Sequence, residues 1–236
     1  MTQPLRLVAT CLLSLVVGAV HAADSAAAEE FAAPPDLAPG WYARIETSMG
    51  RIVARLLPEQ APQSVAHFAA LAEARLEWFD RVDGEIRKDH YYDGIKIHKA
   101  LAGQRFEAGD PASGHAAPSI HVPPEGEGPI NFNAPGRLGM LKDGGANSGV
   151  YFFVTASAQP WLTGNFPCFG WVVDGWDVVT HLSQVKTHPN GRPLDPPLIE
   201  RIRVFSVGDP APLPEPVAYT PRRVEFEARP MPPKQP

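Results

Sequence analysis

Residues 41–75 read WYARIETSMGRIVARLLPEQAPQSVAHFAALAEAR and carry the first clear pattern of secondary structure in the chain. Trp41–Thr47 and Arg51–Leu57 each alternate apolar and polar residues, as half-buried strands do, and Ser48–Gly50 supplies a tight turn between them. Pro62 then stands where a helix begins, and apolar residues at helical spacing follow it to the end of the stretch. The stretch therefore predicts a β-hairpin followed by an amphipathic helix.

Downstream of this helix, the pattern changes to short strands. A charged stretch between Leu76 and His90 is typical of a surface loop. A second helix is predicted at Trp176–Leu182, with Asp174 as its N-cap. Further strands are predicted at Ile95–Lys99, Arg105–Ala108, Arg137–Leu141, Tyr151–Thr155, Phe169–Val173 and Ile199–Val207. Eight short strands and two helices predict a mainly β fold, namely a closed eight-stranded antiparallel barrel capped by the helices.

The composition excludes several classes of protein. The chain has 236 residues, of which 44% are hydrophobic and 20% charged, as in an ordinary globular domain. Its two cysteines exclude a disulfide-stapled scaffold. The net charge of −5 argues against a general nucleic-acid-binding surface. The 27 prolines stand out, since they are roughly twice the usual share of about 5%.

The first 22 residues have the features of an export signal. Arg6 precedes an apolar stretch at Leu7–Val20, and Val20-His21-Ala22 predicts cleavage after Ala22. The apolar stretch is shorter than the roughly 20 residues that a membrane-spanning helix needs. We therefore expect a periplasmic or secreted monomer with no membrane span after cleavage.

The remaining chain divides by composition into three parts. Residues 23–40 lack periodicity and predict a flexible linker, and residues 41–208 form the folded domain. Residues 209–236 are rich in proline and predict an extended or disordered tail. Cleavage removes Cys11 and leaves Cys168, whose apolar neighbours favour a buried structural thiol.

Four segments, in this order, resemble the cyclophilin family of peptidyl-prolyl cis-trans isomerases. They are IETSMGRIVARLLPEQAPQSVAHFAALAEA (45–74), YYDGIKIHKALAGQRFEAGD (91–110), RLGMLKDGGANSGVYFFVT (137–155) and PWLTGNFPCFGWVVDGWDVV (160–179). The resemblance covers nearly the whole predicted domain. It implies the cyclophilin fold, isomerase activity on X-Pro bonds without a cofactor, and proline-containing segments of exported proteins as partners.

The resemblance also assigns site residues, and several depart from the family pattern. The position of the family's catalytic arginine, after His98, is occupied by Lys99. The family's Phe-Met pair and glutamine are replaced by Gln104, Arg105 and Glu107. The resemblance implies that Lys99 is catalytic and that the remaining site positions bind substrate; these are His98, Gln104, Arg105, Glu107, Met140, Leu141, Lys142, Phe153, Trp161, Leu162 and Phe166.

The arginine position matters because the isomerase must stabilise a twisted amide. Rotation about an X-Pro bond loses amide resonance, and the barrier is about 18–20 kcal/mol. The planar guanidinium offers several donors at fixed angles, whereas Lys99 offers a flexible point charge. We therefore expect slow catalysis by Lys99. The alternative is a catalytically silent module that binds proline-containing segments or a protein partner.

Two further alternatives concern the charges near Lys99. Glu107 pairs with Lys99 or with Arg105, either as part of the site or as a solvated ionic cluster without a catalytic part. Arg105 is itself a second candidate for the role of the missing arginine. His115 and His121 lie in a Gly/Pro-rich stretch without cysteine, and this pattern does not indicate a metal site.

Overall fold

The computed structural model describes residues 36–80, 84–109, 120–125, 128–143 and 146–221. The chain divides into two compact units, Met1–Leu37 and Ala38–Pro236, and every element below belongs to the second. The predicted signal peptide, most of the linker, His115 and residues 222–236 lie outside the described residues, so the domain boundaries stay predictions. Within the described ranges, no helix is both long enough and apolar enough to cross a membrane.

Short strands are the commonest regular element of the described structure. Its two α-helices are α1 (Pro62–Ala72) and α2 (Trp176–Ser183), and one 3₁₀ turn of the described residues occupies Pro160–Leu162. The described strands are β1 (Gly40–Thr47), β2 (Gly50–Leu56), β3 (Trp78–Phe79), β4 (Ile86–Arg87), β5 (Ile95–Lys96), β6 (Lys99–Leu101), β7 (Arg105–Ala108), β8 (His121–Val122), β9 (Arg137–Asp143), β10 (Ala146–Thr155), β11 (Cys168–Asp174) and β12 (Leu198–Val207).

Ten of these strands form one curled antiparallel sheet. Its order is β5-β12-β1-β2-β11-β9-β10-β7-β6, and β8 pairs with β10 outside this path. The predicted closed eight-stranded barrel is wrong in strand number and in closure, because the path ends at β5 and β6 without pairing between them. The chain passes from one end of the path to the other through residues 97–98. The predicted single strand Ile95–Lys99 is thereby split, its first half pairing with β12 and β6 with β7.

The main core lies between the sheet and α1. Phe68 of α1 is fully buried, and its ring lies 5.2 Å from that of Tyr92, 5.4 Å from that of Phe152 and 5.3 Å from that of Phe169, measured between centroids. Large aromatic side chains contribute strongly to core stability, since each removes a large apolar area from water. This cluster fixes the hairpin, α1 and β10 relative to one another, and β10 carries part of the site.

A distant carboxylate caps the N-terminus of α1. Ala61, at the N-cap position, offers no side-chain cap. The carboxylate of Glu125 instead accepts hydrogen bonds from the backbone N–H groups of Gln63 and Ser64, the latter at 2.9 Å, and from the Ser64 hydroxyl. A negative charge near the N-terminus of a helix also interacts favourably with the helix dipole. The cap ties the loop before β9 to α1.

Two local predictions differ from the structure. The predicted loop at Leu76–His90 contains β3 and β4, which pair with each other in a small separate sheet. Asp174 is not the N-cap of α2. That position belongs to Gly175, whose φ of 87° is costly for residues with a side chain.

Candidate active site

Phe152 and Phe153 leave β10 on opposite faces of the sheet. Phe152 joins the main core, whereas Phe153 joins a second apolar cluster with Phe132, Leu162 and Cys168. The ring of Phe153 fits because Gly139 on β9 has no side chain. A Cβ at position 139 would lie 2.1 Å from the Cζ atom of Phe153. The pairing of Phe153 with Gly139 therefore creates the space in which the ring lies.

Strand register brings the predicted charged residues onto the face of Phe153. Glu107 on β7 pairs with Lys99 on β6 and with Phe153 on β10. Arg105 lies two residues before Glu107 and thus on the same face, while Phe106 between them is fully buried in the main core. The sheet therefore groups Lys99, Arg105 and Glu107 beside Phe153.

Glu107 binds both cations, so neither of the two predicted pairings excludes the other. Its Oε1 accepts a hydrogen bond from Arg105 Nε at 2.9 Å, and its Oε2 lies 3.7 Å from Lys99 Nζ. Glu107 is only 5% exposed. The carboxylate at the centre of the charged group is therefore buried, whereas a solvated cluster was one of the predicted alternatives. Two cations and one carboxylate leave the group with one net positive charge.

Arg105 is held more tightly than Lys99. Its Nη1 donates to Gln159 Oε1 at 2.9 Å, in addition to the bond from Nε to Glu107. The guanidinium carbon lies 5.6 Å from the centroid of the Phe153 ring, within the range of a cation–π contact. The Arg105 side chain is 15% exposed and that of Lys99 is 38% exposed. Lys99 is thus the freer cation, and Arg105 covers Phe153.

Phe166 packs against the second apolar cluster and covers part of Phe153 that Arg105 leaves open. Its ring is half-buried and meets the Phe153 ring edge-on, with 5.6 Å between centroids. Leu141 packs against this cluster, and the Lys142 ammonium lies 5.8 Å from the Phe166 ring. Phe153 is fully buried as a result. A cleft of about 120 Å³ lies beyond Phe166, and Lys142 and Phe132 contribute to its wall.

The remaining predicted residues lie farther from this cluster or behind it. Trp161 is 60% exposed on the 3₁₀ turn, and Gln104 is exposed at the turn before β7. Met140 is fully buried in the main core, so its side chain supports the sheet from the other face. His98 is half-buried, and its ring lies 6.0 Å from that of Tyr151. Burial lowers the pKa of His98, Lys99 lowers it further and Glu107 opposes the shift.

Three residues of the site were not predicted from the sequence. Gln159 is fully buried and bridges the site, because its Oε1 accepts from Arg105 and its Nε2 donates to the Gln104 carbonyl oxygen. The Phe132 ring lies 5.3 Å from that of Phe153. Gly139 provides the space for that ring. Of these three residues, only Gln159 has a sequence signal nearby, since it directly precedes the segment 160–179 that resembles the family.

Other chemistries find little support around this cluster. Cys168 is buried as expected, and burial raises the pKa of its thiol to about 11. A thiol with this pKa stays protonated near neutral pH and is a poor nucleophile. In the described ranges, no three His, Cys, Asp or Glu side chains are grouped as metal ligands. The arrangement offers a partly exposed ammonium, that of Lys99, which can donate hydrogen bonds to a polar amide.

Comparison with known proteins shows that the chain is similar to prolyl isomerases. The family model described as cyclophilin type peptidyl-prolyl cis-trans isomerase/CLD matches residues 42–204. The chain is 35% identical over 167 residues to peptidyl-prolyl cis-trans isomerase B of Streptomyces anulatus, which covers 69% of this chain and 95% of the relative. It is 30% identical over 165 residues to peptidyl-prolyl cis-trans isomerase A of Mycobacterium tuberculosis, with 69% and 91% covered.

Solved structures show the same fold. A cyclophilin type peptidyl-prolyl cis-trans isomerase of Cryptosporidium parvum superposes with a TM-score of 0.59 at 26% sequence identity. The superposition covers 71% of this chain and 98% of the crystallised one. Residues 42–204, which the family model matches, hold all the site residues described above.

Proposed function

The chain belongs to the family of cyclophilin-type peptidyl-prolyl cis-trans isomerases, and we propose that Lys99 supplies the cation of its isomerase site. The observation that carries this proposal is the asymmetry between the two cations. Lys99 makes one long contact to Glu107, whereas Arg105 is fixed by two hydrogen bonds. A peptide that arrives from solvent meets Lys99 with its ammonium free to change partner.

The proposed mechanism needs no covalent step. As the X-Pro amide twists, its nitrogen loses conjugation with the carbonyl group and becomes a hydrogen-bond acceptor. The Lys99 ammonium donates a hydrogen bond to the twisted amide, while Glu107 holds the side chain on the correct face. Catalysis requires that this contact be stronger in the twisted state than in either planar state.

We propose that turnover is slow, because Lys99 lacks the fixed donor geometry of a guanidinium. A lysine must lose more rotamer freedom than arginine for each hydrogen bond it forms in the transition state. Each loss of about 1.4 kcal/mol in transition-state stabilisation lowers the rate about tenfold. Slow turnover therefore requires only one weakened contact.

The proposed site for the prolyl ring is the face of Phe153 that Arg105 now covers. A ring packed on this face takes the place of the guanidinium, which lies 5.6 Å from the Phe153 centroid. Substrate binding therefore has to displace Arg105 from Gln159 and Glu107. A related Cryptosporidium parvum isomerase, 24% identical, was crystallised in the presence of the dipeptide Ala-Pro. We propose the same class of ligand for this chain.

We propose that the clients are exported proteins in the periplasm or outside the cell. This part of the proposal is supported by the residues before the domain, where Arg6 and the apolar stretch Leu7–Val20 match an export signal. Export of a fusion of residues 1–40 to a reporter enzyme tests it directly. Retention of the uncleaved fusion in the cytoplasm would contradict it.

The burial of Phe153 favours one second candidate function. If Arg105 never leaves Phe153, no prolyl ring can pack there, and the domain acts as a binding module without turnover. NMR exchange spectroscopy on an Ala-Pro-containing peptide separates the two functions. The isomerase accelerates cis/trans exchange of the peptide, whereas a silent module shifts its resonances at an unchanged exchange rate.

Replacement of the covering side chain sharpens this test. Arg105→Met removes the guanidinium and keeps an apolar side chain of similar length. We expect a lower KM with kcat nearly unchanged, because the variant removes a barrier to binding and leaves Lys99 in place. A large fall in kcat would instead assign the electrophilic role to Arg105.

A further inference from the structure

The start of the proline-rich tail lies on the folded domain. Its described part, residues 209–221, has proline at every second position from Pro210 to Pro216. Among the described residues, it makes no backbone–backbone hydrogen bond with the domain. Alternating prolines explain this, because a proline has no N–H to donate to a sheet. Side chains of the domain must therefore hold the tail.

Two side chains of the domain bind the backbone of the tail. Trp41 Nε1 donates to the Ala211 carbonyl oxygen at 2.8 Å. Gln63 binds at two points, since its Nε2 donates to the Glu215 carbonyl oxygen at 3.2 Å and its Oε1 accepts from the Val217 N–H at 2.8 Å. Ala211 and Glu215 are non-proline positions of the X-Pro repeat, and Val217 directly follows it, so the contacts avoid the prolines.

These contacts lie along a groove on β1, β2 and the start of α1. We define the tail groove by Trp41, Arg55, Pro58, Pro62 and Gln63, and Pro210–Pro214 forms its opposite wall. The Arg55 guanidinium is fixed between the rings of Tyr42 and Trp171, at 5.8 and 5.6 Å from their centroids. The groove thus combines the Trp41 indole and two proline rings with the polar groups of Arg55 and Gln63.

Two side chains of the tail anchor it at the edge of the main core. Leu213 and Tyr219 are half-buried and pack against the core cluster. Burial raises the pKa of Tyr219. Aromatic surfaces with side-chain donors aimed at carbonyl groups are the usual means of binding extended proline-rich segments. The tail groove has this chemistry, and its seated ligand is the chain itself.

The tail groove is separate from the isomerase site. In the sheet, β1 and β2 are separated from β10 and β7 by β11 and β9. None of the five groove residues contacts Lys99, Arg105 or Phe153 through any hydrogen bond, ion pair or ring contact that we observe among the described residues. A ligand in the groove therefore leaves the isomerase site uncovered.

We propose that the tail groove is a second proline-recognition surface, which the tail fills in cis and an alternating X-Pro segment of a partner protein fills in trans. The tail is displaceable because its described part is held by three side-chain hydrogen bonds and by the two half-buried side chains of Leu213 and Tyr219. Gly208, exposed and with a φ of 69°, joins the tail to β12 and is a suitable hinge. A tethered ligand competes at an effective concentration in the millimolar range. Trans binding is consequently weak until the tail leaves.

The test uses a fluorescent peptide with the sequence of residues 209–221, the full-length wild type and full-length variants of it. Leu213→Asp weakens tail docking and leaves the groove intact, so we expect this form to bind the peptide about tenfold more tightly than the wild type, as loss of a cis competitor requires. Adding Gln63→Ala to Leu213→Asp removes both hydrogen-bonding contacts of the Gln63 side chain. This double variant should bind the peptide about tenfold more weakly than Leu213→Asp alone. Gln184→Ala, an exposed glutamine outside the groove, is the matched control in the Leu213→Asp background.

Three outcomes would overturn the proposal. They are equal binding by wild type and Leu213→Asp, no effect of Gln63→Ala, and loss of binding on Lys99→Ala instead. Should Leu213→Asp fail to fold, Leu213→Ser serves as a milder variant. Excess peptide added to the wild type must then shift the NMR signals of the isotope-labelled tail towards those of a free chain. Because the readout is binding, failure here leaves the isomerase proposal intact.

Discussion

The two faces of β10 differ in the chemistry of the side chains that pack on them. On one face, Phe152 packs among apolar and aromatic side chains that join the sheet to α1. On the other, Phe153 packs in a small apolar cluster whose neighbours include Arg105, Glu107 and Lys99. The first face stabilises the fold, whereas the second carries Arg105 and Glu107, two charges that the family pattern lacks. The fold is therefore preserved by residues that do not determine the chemistry of the site.

The largest expected difference between the faces is in stability. Phe152→Ala opens a cavity in the main core and should lower the free energy of unfolding by about 3–5 kcal/mol. Phe153→Ala should cost at least about 1 kcal/mol less, because its half-buried neighbours Arg105 and Phe166 can move in from the surface and partly fill the space. Urea unfolding measures both values. Equal losses would mean that the Phe153 face is as rigid as the core.

A buried histidine makes the main-core face sensitive to acid. His67 of α1 is fully buried, and neither of its ring nitrogens has a hydrogen-bond partner among the described residues. Burial lowers its pKa from 6.5 to about 4. The unfolded chain therefore binds more protons than the folded chain between these values. Stability is full above pH 6.5 and falls as the pH is lowered towards 4, by at most about 3 kcal/mol.

His67→Leu removes this titration. Urea unfolding at several pH values between 7 and 4 should show a shallower loss of stability for the variant than for the wild type. Carboxylates titrate in both proteins, so the difference between the two curves isolates His67. Parallel curves would contradict the assignment.

A smaller effect tests how Phe153 is seated. Gly139→Ala places a Cβ 2.1 Å from the Phe153 Cζ atom and should destabilise the fold by about 1–3 kcal/mol through overpacking. Phe153→Leu shortens the opposing side chain, so the double variant should recover part of this loss. A double-mutant cycle by thermal unfolding measures the coupling. Additive losses would show that Gly139 and Phe153 act independently.

The same contrast explains what the sequence predicts well. The alternation in β1 and β2 and the helical spacing after Pro62 are strong signals, and the observed elements match them within a few residues. The strands β3, β4, β5 and β8 have two residues each, too few to show an alternating pattern. Sheet closure was wrong because strand pairing depends on long-range register, which local patterns do not contain.

The candidate site was predictable only in part. The grouping of Lys99, Arg105 and Glu107 follows from motif positions and alternation along β7. The contact of Arg105 with Phe153 does not, since it depends on the approach of Gln159 from the 3₁₀ turn. Short loops place such residues through tertiary contacts, and no periodicity in the sequence reports them.

The rate of X-Pro exchange in Lys99→Ala, compared with Lys96→Ala, tests the central claim most directly. Lys96 ends β5 and Lys99 begins β6, three residues later, but the exposed Lys96 has no place in the proposed site. Exchange spectroscopy at equal protein concentrations gives both rates. We expect Lys99→Ala to lower kcat/KM at least about tenfold, or about 1.4 kcal/mol in transition-state stabilisation, with Lys96→Ala unchanged. Equal rates in the two variants would contradict the assignment of Lys99 as the cation that stabilises the twisted amide.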